Sequence, residues 1–175
     1  MIGKEACLRL LKKVVQESSA DQTEAVFLTE DSSLTRFADS TIHQHVAEKN
    51  QTLILRVVLE KRIGVVTTNM LQPSSVKNTI QKAIALAKVQ HPNKQFISLP
   101  EPKPIPGIDT FSTNINHLTP SSKVKMIQDI FTLAKGKGCV ASGAFSNGEV
   151  ELAVANSLGV EAYQRYSDLF FHLIV

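Results

Sequence analysis

Apolar residues recur along this chain with two different periods, and the two periods alternate in blocks. Near the N-terminus Cys7, Leu11, Val14 and Ser18 fall at helical spacing, widened by Leu10 and Val15, with Lys12, Lys13, Gln16 and Glu17 opposite. That stripe predicts an amphipathic helix over about 3–18. Period two follows and predicts strands near 24–29, 33–38, 42–48, 52–60 and 63–68. The fourth is the cleanest: Leu53, Leu55, Val57 and Leu59 take one side, and Thr52, Ile54, Arg56, Val58 and Glu60 the other. The short polar link Lys61-Arg62 predicts a tight hairpin and antiparallel pairing.

Pro73 then opens a second helix with the stripe Val76, Ile80, Ala83, Ile84 and Ala87, closed before Pro92. Residues 91–118 have no period. Within them Leu99-Pro-Glu-Pro-Lys-Pro-Ile-Pro sets proline at every second position, which makes a stiff, extended, proline-containing internal linker. Thr119-Pro120 is an N-cap followed by proline at the first helical position. The third helix it starts buries Val124, Ile127, Phe131 and Ala134 and stops at Gly136 or Gly138. Strands return at 139–146, with Asn147-Gly148 predicted as a hairpin turn. Val150, Leu152 and Val154 alternate with Glu149, Glu151 and Ala153, the period of a half-buried strand. Asn156, Ser157 and Gly159 supply turn chemistry before another strand from Val160, and the apolar run Phe170 to Val175 reads as one more. That run has no polar stop, so the chain reads as the front part of a longer protein.

The fold class expected is α+β: antiparallel strands in two groups, with about three helices packed on one face. Composition narrows the function classes. At 175 residues and 43% apolar the chain can bury a substantial core. Its net charge of +3 is spread over scattered Lys and Arg, and with no Trp and two Tyr there is no basic, aromatic-laced stripe for nucleic acid. The first twenty residues hold no apolar signal core, and the run Leu53 to Leu59 is interrupted by Arg56, so no membrane partner and a cytoplasmic location are expected. Cys7 and Cys139 share no metal or redox spacing and read as small buried residues.

Candidate chemistry is sparse. A zinc peptidase helix needs two ligands on one face and a carboxylate to take the proton of the bound water, as when His-Glu leads to a second His one turn later. None of His43, His45, His91, His117 and His172 precedes a Glu. His43 and His45 are the metal candidates, because two residues apart on a strand their rings share a face; Glu48 falls on the opposite face by parity. Gly136-Lys-Gly-Cys follows a helix, where a phosphate loop has to precede one. No catalytic residue and no cofactor site is assigned in this chain.

Several strand and turn words carry a resemblance. Val154-Ala-Asn-Ser-Leu-Gly-Val-Glu-Ala-Tyr and Arg165-Tyr-Ser-Asp, together with Thr23-Glu-Ala-Val-Phe-Leu and Leu34-Thr-Arg-Phe-Ala-Asp-Ser-Thr-Ile-His-Gln, resemble the N-terminal domain of the TldD/PmbA family. Its members are zinc metallopeptidases and their paired subunits, often labelled modulators of DNA gyrase or peptide-maturation proteins. The order of elements matches over nearly all of 1–175. The resemblance implies one N-terminal domain, with 91–118 an internal linker, and a zinc-binding C-terminal domain that lies outside this chain. It also implies a homo- or heterodimer partner of the same family and unfolded peptide as substrate. No position here matches the family's His-Glu-x-x-x-His helix, so no ligand role is carried over. A non-catalytic partner subunit of that family, or a free-standing interaction module, are the alternative readings.

Overall fold

The computed structural model describes residues 1–175. The elements in order are α1 (Lys4–Glu17), β1 (Gln22–Ala38), β2 (Thr41–Leu59), β3 (Arg62–Thr68), α2 (Pro73–Val89), α3 (Thr113–Asn116), α4 (Pro120–Gly136), β4 (Ser142–Asn156) and β5 (Glu161–Ile174). The two sequence groups of strands join in a single antiparallel sheet with the order β3-β2-β1-β4-β5. The class is α+β, with the three expected long helices and the one-turn α3 within the linker region.

Local rules account for the element ends. Gly3 caps α1, Pro73 sits in the first turn of α2, and the Thr119 hydroxyl accepts from the Ser122 amide at 3.1 Å to cap α4. Beyond α4, Gly138 turns left-handed at φ 71°. The β2–β3 hairpin is present, with Leu59 opposite Arg62 and Leu53 opposite Thr68. Its turn residues are Glu60 and Lys61, one position earlier than the Lys61-Arg62 link expected. Both have positive φ, 48° and 65°, as do Asp39 and Ser40 between β1 and β2. Two consecutive left-handed residues match the twist of the strands they join, so both hairpins close in two residues without glycine.

The strands are fewer and longer than their sequence pattern suggests. Four expected breaks, near 30–32, 49–51, 147–148 and 167–169, are continuous strand instead. At Asn147-Gly148 the reason is visible. Asn147 is buried, its amide donating to the Ile115 carbonyl at 2.8 Å while its oxygen accepts from Ser33 Oγ at 3.1 Å. A Cβ on Gly148 would lie 3.0 Å from Ser32 Cβ and 3.2 Å from the Asp31 carbonyl. This glycine serves a close approach rather than a turn. Ser167 likewise stays in β5, bonding both Ser112 and Asn116.

The contacts resolve two compact units. The first comprises Met1–Thr29, Asn50–Ile108 and Glu151–Gln164, and the second Glu30–Lys49, Asp109–Val150 and Arg165–Val175. In the first unit α1 contributes Cys7, Leu11 and Val14 to the core, and α2 contributes Val76, Ile80, Ala83 and Ala87. The strands add Ala25, Phe27, Leu53, Leu55, Val57, Ala153 and Ala155. Gly64 lets α2 lie directly on β3, since a Cβ there would sit 2.1 Å from the Ala83 carbonyl oxygen. Leu99, at the head of the proline run, is buried in this unit, and its amide donates to Gln22 Oε1 at 2.8 Å. In the second unit Phe37, Ala141 and Phe145 pack with Ile127 and Ala134 of α4. Phe171 joins them edge-on to Phe145, with ring centroids 5.4 Å apart. Phe171 is nonetheless partly open to solvent, and its β5 neighbours Leu169, Phe170, Leu173 and Ile174 are exposed, as is Val175 just beyond the strand.

Parity along β4 corrects one expectation. The core face carries Glu151, Ala153 and Ala155, whereas Leu152 on the opposite face is 36% exposed.

Candidate functional site

The second unit holds a polar cavity of about 470 Å³, bounded by β1 at Asp31–Ser33, β4 at Asn147–Glu149, β5 at Arg165 and the α3 region at Phe111 and Asn116. Arg165 stacks its guanidinium 3.7 Å from the Phe111 ring centroid and pairs with Glu149. The second Glu149 oxygen accepts from Asn116 Nδ2 at 2.5 Å. Asp31 pairs with Lys49 at 2.8 Å, and that hydrogen bond holds the lysine above its ordinary value. The carboxylates of this cavity therefore already have cationic or amide partners.

One wall is different in kind. Lys123 of α4 is 0% exposed, a position a lysine almost never takes without a carboxylate partner. Its Nζ donates to the Ser33 carbonyl at 3.0 Å, lies 2.5 Å from Ser33 Oγ, and sits 5.8 Å from the centre of the Phe145 ring. Burial pushes its pKa down, because a desolvated ammonium is disfavoured against the neutral amine. Ser33 itself is only partly buried and lines the cavity. The sequence reading missed this lysine. Its signal was positional: Lys123, Ile127 and Ala134 are the buried residues of α4, with Phe131 packed against the same cluster, while Val124 is only partly buried. Lys123 thus occupies the helical stripe four residues before Ile127.

The first unit buries a second charged group, also missed. Glu151 is 1% exposed and accepts the backbone amides of Ile2 at 2.8 Å and Gly3 at 2.9 Å and the Tyr163 hydroxyl at 2.7 Å. Burial raises its pKa, but the Tyr163 hydroxyl, the two amides and the N-terminal charge together outweigh burial and hold the carboxyl below its ordinary value. The neighbouring Cys7 thiol is pushed up to about 11, first by burial and then by the Glu151 charge. An alkylating or metal-binding role needs the thiolate, which this site disfavours. Cys139, expected to be buried, is exposed, since it follows the end of α4.

His43 and His45 both lie exposed on β2, and His45 Nδ1 is 2.8 Å from Thr35 Oγ1. No three His, Cys, Asp or Glu side chains come together in a group that could hold a metal ion. No helix is long and apolar enough to cross a membrane.

Comparison with known proteins finds others that share this fold. Residues 23–87 match the family model described as PmbA/TldA metallopeptidase domain 1. No curated protein matches the sequence. Among solved structures, TldE from Thermococcus kodakarensis superposes with a TM-score of 0.80 at 22% identity, over 97% of this chain and 38% of that one. A protein from Bacteroides thetaiotaomicron described as a modulator of DNA gyrase gives 0.83 at 16% identity, over 99% of this chain and 41% of that one. A Thermotoga maritima protein of the same description gives 0.76 at 15% identity, over 96% and 37%. The chain spans about two fifths of the length of each of these structures and resembles the N-terminal portion of TldD/PmbA family proteins.

Proposed function

We propose that this chain is the N-terminal scaffold of a longer, cytoplasmic TldD/PmbA-type metallopeptidase that acts in peptide maturation or proteolysis and is not catalytic alone. The observation that carries the reading is the family match over residues 23–87 together with a fold shared almost end to end with solved chains more than twice as long. In this reading zinc and its ligands belong to a downstream domain. A same-family subunit completes a chamber that admits unfolded peptide. Long strands suit such a chamber wall physically. The sheet ends at β5, and an extended peptide adds to a sheet edge through main-chain hydrogen bonds that carry no sequence preference.

The test compares the 175-residue chain with the product of its full coding sequence, alone and mixed with the same-family partner. Peptide hydrolysis that is abolished by a chelator and restored by zinc is expected only when the downstream region is present. A long downstream region that lacks His-Glu-x-x-x-His and stimulates a catalytic partner would identify the non-catalytic subunit instead. Chelator-sensitive hydrolysis by the isolated chain would overturn the scaffold reading.

A further inference from the structure

The buried Lys123 amine has no counter-ion, and its nearest neighbour is a hydroxyl that opens onto a cavity. We propose that Ser33 and Lys123 form a serine–lysine nucleophile pair that accepts an acyl group from a small activated ester or thioester bound in the 470 Å³ polar cavity. Three observations converge on this assignment. The Ser33 Oγ to Lys123 Nζ separation of 2.5 Å is within proton-transfer range. Lys123 is fully enclosed, so water does not compete for its lone pair, and α4 and β1 hold the pair on regular elements rather than on loops. Ser33 in turn lines the cavity beside Asn147 and Glu149.

The groups around the pair divide the work. Ser33 Oγ also donates to Asn147 Oδ1 at 3.1 Å, and Asn147 is itself held by the Ile115 carbonyl. This fixes the hydroxyl rotor while Lys123 is an ammonium. Loss of the lysine proton frees a lone pair that competes with Asn147 for the hydroxyl hydrogen, which is the condition for general-base activation of a serine. The charged and titratable residues lining the same cavity are Asp31, held by Lys49, Glu149, held by Arg165, Arg165 itself and His117. Neither carboxylate pairs with Lys123, so none holds it in the charged form. Burial acts in the other direction and lowers its pKa from the ordinary lysine value.

The chemistry balances within the pair and the donor. Lys123 Nζ takes the Ser33 proton as Oγ bonds to the carbonyl carbon. The bond from that carbon to the donor's oxygen or sulfur then breaks, and the departing alkoxide or thiolate receives the proton from Lys123. An ester on Ser33 is the product. The idea is independent of the zinc-domain reading, and either can fail without the other.

A fluorophosphonate reports the same step, since Ser33 would displace fluoride from phosphorus while Lys123 takes the proton. The native 175-residue chain is expected to gain one adduct by intact mass, mapped to Ser33, at a rate that rises with pH to a plateau below the ordinary lysine value. Denatured chain should gain none. S33A should abolish the adduct, and K123M should slow it at least about 100-fold, the range for loss of a general base. Should K123M fail to fold, the pH-rate curve and the denatured control on native chain decide. No adduct on native Ser33, or equal labelling of native and denatured chain, overturns the proposal. So does labelling of folded K123M at the native rate.

Discussion

Replacing Glu151 with Gln tests whether one buried carboxylate anchors the N-terminus of the fold. The native group receives three hydrogen bonds at 2.7–2.9 Å from Tyr163, Ile2 and Gly3, two of them from residues almost 150 positions away. Gln keeps the shape, and its carbonyl can still accept from Tyr163 and Gly3. Its NH2 then faces the Ile2 amide, donor against donor. Each surviving bond falls from charge-assisted to neutral, roughly 1 kcal/mol apiece, and an unsatisfied buried donor costs about 1–3 kcal/mol more. The expected loss is about 3–5 kcal/mol, against a typical domain stability of roughly 5–15 kcal/mol. Urea unfolding at neutral pH, followed by circular dichroism, measures it as a drop in midpoint at unchanged slope. The sign of the pH dependence follows from the depressed carboxyl. Stability from such a group is complete above the ordinary value of 4.5 and is lost as pH falls through the lower folded value. The gap between wild type and E151Q should therefore be full at neutral pH and close in acid. A gap under about 0.5 kcal/mol at neutral pH, within the noise of a surface change, or one that ignores pH, would refute the anchoring argument.

Three further outcomes follow from other packing details. Gly64→Ala drives a Cβ to 2.1 Å from the Ala83 carbonyl and 2.8 Å from the Ala87 amide, so α2 has to shift. The expected loss is about 2–3 kcal/mol by urea melt, and a variant as stable as wild type would contradict the contact. Lys61→Gly relieves a left-handed residue at φ 65° and should gain about 0.5 kcal/mol once the entropy of the unfolded glycine is subtracted; a measured loss would show that the turn differs. With Ellman's reagent the native chain should show one fast thiol, Cys139, and a second, Cys7, only on unfolding, because Cys7 is buried with a pKa near 11. Two fast thiols would place Cys7 outside the core.

Much of the architecture was legible in local patterns. Cys7, Leu11 and Val14 were read as a buried stripe from their spacing, and all three are fully enclosed. Thr119-Pro120 announced a capped helix, and the hydroxyl makes that cap. The strand lengths were not legible. Asn-Gly is a strong turn signal when judged by its neighbours in sequence, but Gly148 answers to Ser32 and Asn147 to Ile115 and Ser33. The β4 parity holds at Val150, which is buried, and fails from Glu151 to Ala155 for a related reason. Val150, Leu152 and Val154 are the more apolar set, yet the small Ala153 and Ala155 fit the first core, with Glu151 beside them.

The chain's own pattern therefore determined the α+β class, the three long helices, the β2–β3 hairpin and the turn at Asn156-Gly159, because each rests on residues within a turn or two of one another. Tertiary structure alone decided which charged groups go inside. Lys123 finds its acceptors on a residue 90 positions earlier, and Glu151 finds two of its donors 148 and 149 positions earlier. Burying a charge is tolerable only where such distant partners replace water, and no local periodicity encodes where the partners will be.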